Sequence, residues 1–410
     1  MARSAIVIGA GITGTLTALQ LQDQGWAVTL LEAQHLGAGS SSRTAAGFRQ
    51  QFTTRETVLG MRYAVDFYND WQARTGGEGR PIQSNGYLFL LPNAPDVLAG
   101  ARIRVESQRA WGLKEVEALS PEQVQSRFSW VDPESIGGAT WCPSDGFLRP
   151  EVLYNEAAQG LRQRGGTLKM NSAVVSAERA GDRLLSVTTA KGETLSADLF
   201  VDCTNAWSRR LGDILGAKAL PVAALKRYLW FLERDDQAMS AEQLLSMPLV
   251  ISPSGAYCRP ENAGSLMIGW KHAAPDQSAD FSYEDQDSVQ PEFFHRSGAD
   301  ARPFETWMAL AEVLPPVGEF KGISATTAGF YGTTPDHNPF MDFDPNTRNL
   351  IRLVGFSGHG AMFGPFSAKV CTALAEAGRS IDHVTVLGEQ ASLGVFQIDR
   401  EFRSAEAMVI

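Results

Sequence analysis

A short β-branched run, Ala5-Ile6-Val7-Ile8, leads directly into Gly9-Ala10-Gly11-Ile12-Thr13-Gly14. A helical pattern carrying Leu16, Ala18 and Leu19 follows and stops at Gly25. A second strand, Ala27-Val28-Thr29-Leu30-Leu31, then ends on Glu32. GxGxxG spacing alone says little in a glycine-rich chain. Set between strand and helix, with an acid closing the next strand, it constrains the fold strongly. Gly9 permits the tight turn, Gly11 lets backbone N–H groups approach a pyrophosphate, and Gly14 lets the helix pack closely on the strand. The positive helix end favours negative charge at that point. Glu32 has acceptors for both ribose hydroxyls and would repel a 2′-phosphate. The pattern predicts a Rossmann-type dinucleotide-binding unit and leaves flavin and nicotinamide undistinguished.

At 410 residues the chain exceeds one comfortable hydrophobic core, so two domains are expected. Its 44% apolar and 20% charged residues suit a soluble globular protein. A formal net charge of −10 argues against nucleic acid and anionic membrane surfaces as partners. It leaves room for an anionic small-molecule substrate, provided local Arg or Lys residues bind it. Cys142, Cys203, Cys258 and Cys371 are widely separated and show no metal-ligand spacing, so reduced thiols and no metal are expected. The first apolar run is too short for a signal peptide, and no stretch approaches a membrane span. These features together predict a cytoplasmic protein.

Two further segments carry candidate chemistry. Gly37-Ala38-Gly39-Ser40-Ser41-Ser42-Arg43 is a small polar loop, followed by Thr44 to Phe52 with Arg49 as a fixed cation. The composition equally suits a surface linker. Near the other end, the strand Leu350–Val354 enters a glycine-rich turn, Gly355 to Gly364. Pro365 is read as opening a helix that runs to Ala377 and ends at Gly378.

At this point the sequence resembles the D-amino-acid-oxidase-like flavoproteins, in the branch of sarcosine oxidases (β-subunit-like) and secondary-amine dehydrogenases. The resemblance rests on Gly9–Glu32, on Gly39–Phe52, on Gly332-Thr333-Thr334-Pro335-Asp336-His337-Asn338-Pro339 and on Gly355-Phe356-Ser357-Gly358-His359-Gly360 through Pro365. Tyr257-Cys258-Arg259-Pro260-Glu261 is a weaker fifth block. It implies an α/β chain with a Rossmann-type FAD-binding domain built from segments 1–79, 142–221 and 325–410. An α+β substrate domain with a large mixed or antiparallel sheet would combine 80–141 and 222–324.

The resemblance assigns FAD as cofactor and places Gly9, Gly11, Ile12, Thr13, Gly14, Glu32 and Ala33 around its ADP half. Ser40, Ser41, Ser42, Arg43, Ala46 and Gly47 follow along the flavin. Val174 and Val175 would lie near the adenine. Thr204, Asn205 and Trp207 form a second nucleotide contact, in which Asn205 replaces the usual glycine and tolerates a left-handed backbone. Gly332, Gly358, His359, Gly360, Ala361 and Met362 would face the flavin ring, where the helix end stabilises charge gained on reduction. His359 is read as positioning the flavin.

The implied reaction is oxidation of a secondary or N-methylated amino acid by hydride transfer to flavin N5, giving an imine that hydrolyses. Arg49 matches the carboxylate-binding arginine and Tyr257 a substrate-side tyrosine. The flavin-linked cysteine of monomeric sarcosine oxidases falls on Gly329, so noncovalent FAD is expected. Two of their lysines fall on Met267 and Met362, with Lys271 and His272 as nearby substitutes, so the choice between oxygen and another acceptor stays open. The same blocks suit a flavin-dependent 2-hydroxy-acid dehydrogenase or a low-turnover FAD-binding assembly subunit. A homo-oligomer or partner subunits also fit. Pro275–Asp300 reads as a polar loop or cap.

Overall fold

The computed structural model describes residues 3–271, 277–278, 301–402 and residue 406. The opening β-branched run forms the strand Ser4–Ile8 at the centre of a six-stranded sheet. Ala27–Leu31 and Leu199–Asp202 flank it in parallel. Thr167–Lys169 and Thr347–Val354 extend the sheet on either side, also parallel. Phe340–Asp344 closes one edge antiparallel.

A parallel strand covered on both faces needs apolar side chains on both. Ala5 and Val7 accordingly join Leu16, Leu19, Phe366 and Leu374 in one core. Ile6 and Ile8 join Leu184, Val187, Phe200 and Leu350 in another. The helices Ile12–Asp23, Pro150–Gln163 and Gly360–Ala377 supply much of the first core.

Sequence periodicity merges two strands that the structure separates. Alternation over 194–201 predicts one strand, which the structure interrupts: Thr194–Ser196 pairs with Arg183–Thr189, whereas Leu199–Asp202 joins the central sheet. Asp198 sits at the break. Its carboxylate accepts from the Ser4 backbone N–H at 2.8 Å and from the Ser4 hydroxyl at 2.9 Å.

A second correction concerns Pro365. The helix begins at Gly360 with His359 as its N-cap, and Pro365 lies inside it. Proline there leaves the carbonyl of Ala361 without an amide donor. The Tyr68 hydroxyl takes that place, donating to Ala361 O at 2.6 Å. A distant tyrosine thus lets the helix start five residues earlier than its proline suggests.

The other large sheet has nine strands and is mixed. Its spine pairs Ala223–Glu233 with Gly322–Thr333 on one side and Ser265–Gly269 on the other, all antiparallel. Tyr257–Asn262, Leu249–Ile251, Tyr87–Leu91, Gly138–Cys142 and Glu117–Leu119 continue it, with one parallel junction between Leu249–Ile251 and Tyr87–Leu91. The boundary expected at 325 falls inside the Gly322–Thr333 strand, which keeps its pairing through Thr333.

Strand alternation gives this sheet two faces. Leu88, Leu90, Trp230, Leu232, Val250, Cys258 and Ile268 pack with Trp307 and Leu310 of the helix Arg302–Ala311. Tyr87, Phe89, Leu229, Leu249, Ile251, Tyr257 and Met267 form the other face. The fold is therefore α/β, with a Rossmann-type sheet assembled from distant segments beside a large mixed sheet.

Of the segment Pro275–Asp300, only Gln277–Ser278 is described, and it pairs with Leu225 and Ala224; His272 also lies outside the described residues. All four cysteines are free and buried. Among the described residues no helix is long and apolar enough to cross a membrane.

Candidate functional site

The Ile12–Asp23 helix starts after Gly11 without a side-chain cap. Its first amides have no intrahelical acceptors. Ile12 N–H donates to the Ser41 hydroxyl at 3.1 Å, which ties the polar loop to the helix end. A Cβ on Gly14 would lie 1.8 Å from the Gly9 carbonyl oxygen, so only glycine permits this approach of helix to strand.

Glu32 is buried at the end of the second strand. One carboxylate oxygen accepts from Ala10 N–H at 2.8 Å and the other from Gln34 N–H at 2.9 Å. Burial raises its pKa, and these amides oppose the rise. Each oxygen keeps acceptor capacity for a ribose hydroxyl.

Gly9, Gly11, Ile12, Thr13 and Glu32 line one end of an elongated cavity, with Ser40, Ser41 and Arg43 beside them. Thr204, Asn205 and Trp207 line it from the strand Leu199–Asp202, and Gly358, Gly360 and Ala361 from the C-terminal turn. Four sequence blocks thus converge on one space. Asn205 has φ +48, the left-handed conformation expected where it replaces glycine. Its side-chain oxygen also accepts from Gly355 N–H at 3.0 Å and Phe356 N–H at 3.2 Å, joining two of the blocks.

Not every expected cofactor residue reaches the cavity. Gly14, Ala33, Ser42 and Gly332 do not line it. A Cβ on Gly332 would lie 2.7 Å from the Asn205 side-chain oxygen, so Gly332 packs closely against that residue. Val174 is buried in the core beneath the sheet, and Val175, at a bulge in its strand, is 52% exposed. The lining also includes residues the sequence did not single out, chiefly Phe330 and Tyr331. Tyr331 lies between the two glycines Gly329 and Gly332, and that spacing was its available signal.

Tyr331, Thr44 and Gly358 line a second, smaller cavity as well, which places the two side by side. Ala46, Gly47, Arg49, Tyr257, His359 and Met362 line the second, joined by Tyr87 and Leu249. Lys271 lies outside both linings and is exposed. Ala46 and Ser357 hold left-handed backbones, at φ +54 and +50, against this cavity. Such strained non-glycine residues concentrate at functional sites.

Arg49 is nearly inaccessible, at 1% exposure. Its guanidinium carbon lies 3.9 Å from the centre of the Phe52 ring. Nη1 donates to the Gln51 carbonyl, and Nη2 lies 3.3 Å from His359 Nε2. Arginine has only donors, so that contact makes Nε2 the acceptor and assigns the neutral His359 proton to Nδ1. Burial, then Arg49, then His337 push the His359 pKa well below its usual value. A neutral His359 fits positioning better than proton uptake.

The Arg49 segment is held by Asp145, which is fully buried. One Asp145 oxygen accepts from Gln50 N–H at 2.8 Å and Gln50 Nε2 at 3.1 Å; the other accepts from Gln51 Nε2 at 3.1 Å. Burial raises the Asp145 pKa to about 6 against these hydrogen bonds and Arg49. Asp145 has no local motif to announce it, because its partners lie 94 and 95 residues away in the chain.

The sequence pattern of DAO, the FAD dependent oxidoreductases, matches residues 4–374. The chain belongs to that family. The cradle fits its cofactor: glycines leave room for a dinucleotide, and Glu32 and a helix N-terminus offer partners for ribose hydroxyls and phosphate. As a family member the chain is an FAD-dependent oxidoreductase. It is 26% identical over 404 residues to FAD-dependent oxidoreductase domain-containing protein 1 of Bos taurus, covering 88% of this chain and 78% of that protein. It is 24% identical to monomeric sarcosine oxidase of Bacillus sp. (strain NS-129), covering 98% of each. Its fold is similar to the crystal structure of L-proline dehydrogenase from P. horikoshii, with TM-score 0.80, 24% identity, and 92% and 94% of the two chains covered.

Proposed function

We propose that this FAD-dependent oxidoreductase oxidises a secondary or N-methylated amino acid at the carbon next to nitrogen. One observation carries the reading: a tyrosine-walled cavity with Arg49 and His359 in its lining adjoins the dinucleotide cradle and shares Tyr331 and Gly358 with it. Sarcosine and proline, for which two similar proteins are named, are both secondary amines.

Bound FAD supplies the two-electron acceptor for the C–H bond. The rest is orientation and electrostatics by this chain. Arg49 is assigned the substrate carboxylate, and Asp145 fixes the loop that carries it. The aromatic walls of Tyr87, Tyr257 and Tyr331 exclude water and disfavour an ammonium ion, so amine binds in its neutral form. Burial raises the Tyr257 hydroxyl well above its usual pKa, so it stays a neutral hydrogen-bonding group. The Gly360–Ala377 helix directs its positive end toward the first cavity and favours charge that develops there. FAD is held by the residues of that cavity without a covalent link. A Cβ on Gly329 would lie 2.9 Å from the Arg43 Cβ, which leaves no room for a thiol.

Anaerobic mixing of the holoprotein with sarcosine, proline, N-methyl amino acids and 2-hydroxy acids tests the proposal. Bleaching of the main flavin band by the amines supports it. Bleaching by hydroxy acids alone rejects it.

A further inference from the structure

Among the described residues, Arg227 stands out as a buried cation with no counter-ion. It is 8% exposed, and among the described residues it makes no ion pair or hydrogen bond. Its guanidinium carbon lies 5.6 Å from the centre of the Tyr331 ring. Arg352, by contrast, is buried with Asp202 at 2.8 Å and Asp344 at 3.2 Å. A buried guanidinium normally carries such partners, because desolvation is otherwise uncompensated.

The strand register puts Arg227 on the sheet face that carries the tyrosine walls; Arg227 and His337 lie behind the residues that line the two cavities. On Ala223–Glu233 it lies opposite Gly329 of the neighbouring strand, and Gly329 lines the cofactor cavity. Tyr331, two residues on, shares that face and lines both cavities. Leu229, two residues along from Arg227, packs with Tyr257, Tyr87 and Met267 on the same face. Arg227 also acts electrostatically on Tyr257, Tyr331 and His337, so it lies near all three.

A second unsatisfied group is close by. Nδ1 of His337 is buried with no hydrogen-bond partner among the described residues. Arg227 and the exposed Lys271 both bear on this imidazole. Its backbone is held left-handed, at φ +60. Among the described residues, a cation and a buried ring nitrogen, neither with a hydrogen-bond partner, therefore lie near each other, with Tyr331 beside the cation. Arg49 stands in the lining of the second cavity with its partner His359.

We infer that Arg227 is a second carboxylate anchor, so the substrate class is an amino dicarboxylate: an N-substituted amino acid carrying a further acidic group. One carboxylate meets Arg49 and the other meets Arg227, with His337 Nδ1 as an additional donor. The tyrosines between the two anchors accommodate the intervening carbon chain. This assignment rests on the amino-acid oxidation proposed above.

The test titrates the FAD-loaded protein with unreactive acids and follows the flavin absorption spectrum. Glutarate should bind at least about tenfold more tightly than butyrate. Arg227→Ala should abolish that preference while changing butyrate affinity by less than about twofold, and Arg227→Lys should keep part of it. Anaerobic reduction by N-methylglutamate and N-methylnorvaline then repeats the comparison with reactive ligands. Equal affinities in the wild type would overturn the inference, and so would equal losses for both acids in Arg227→Ala or a loss of FAD there. If both amines bleach the flavin equally well, the inference fails and the amine reading stands. If glutarate is preferred but no amine bleaches the flavin, the second anchor stands and the amine reading fails.

Discussion

The Tyr68 hydroxyl donates to the carbonyl of Ala361 at 2.6 Å, the carbonyl that Pro365 leaves without an amide. Burial holds the Tyr68 pKa well above its usual value, so the hydroxyl remains a donor at any physiological pH. Tyr68→Phe leaves a buried acceptor unsatisfied at the helix end that borders the cofactor cavity. We expect a stability loss of about 1–3 kcal/mol, read from the urea midpoint, and weaker FAD retention. Unchanged stability would show that water fills the role.

Glu32 joins the Ala10 turn to the end of the second strand. Glu32→Ala removes acceptors from both the backbone and the ribose. FAD affinity should fall by about 10–100-fold, given about 1.5–3 kcal/mol for a charged hydrogen bond. Fluorescence of released flavin measures it. Glu32→Gln should fall between the two, because it keeps one acceptor.

Arg49→Lys keeps the charge but loses the planar fork. Michaelis constants for carboxylate substrates should rise about tenfold or more, with FAD content unchanged. Arg49→Ala is a poorer probe. It removes a buried cation whose charge favours ionised Asp145 and should destabilise the fold as well. An unchanged Michaelis constant in Arg49→Lys would remove Arg49 from substrate binding.

Asp145 gives a pH dependence with a definite sign. Its folded pKa of about 6 lies above the ordinary 3.8. A raised carboxyl contributes stability fully below the unfolded value and loses it as pH rises through the folded one. Wild type should therefore lose up to about 3 kcal/mol relative to Asp145→Asn between about pH 4 and pH 6. Paired urea melts at pH 4 and pH 7 would show the change; a constant gap between the proteins would contradict it.

Acid precipitation of the holoprotein should leave all flavin in the supernatant. Gly329→Cys should lower FAD content without creating a covalent link, since the added Cβ meets Arg43 at 2.9 Å. Flavin retained in the pellet of the wild type would refute noncovalent binding.

The sequence by itself determined the cradle from Gly9 to Glu32, because strand, glycine turn and helix are neighbours in the chain and their periods and spacing are local. It also marked Asn205 as tolerant of a left-handed backbone, which the structure shows at φ +48, and Arg49 as a fixed cation, which lines the second cavity. It misplaced the start of the last helix, since the donor that excuses Pro365 is Tyr68, 293 residues from Ala361. It merged two strands across Asp198, whose partner Ser4 is 194 residues away. Tertiary structure alone decided that Asp145 supports Arg49, and that the Arg227 guanidinium lies beside Tyr331 without a counter-ion among the described residues. Hydrogen bonds and charge compensation act through space at a few ångströms, and the chain brings those groups together only when its two sheets have formed.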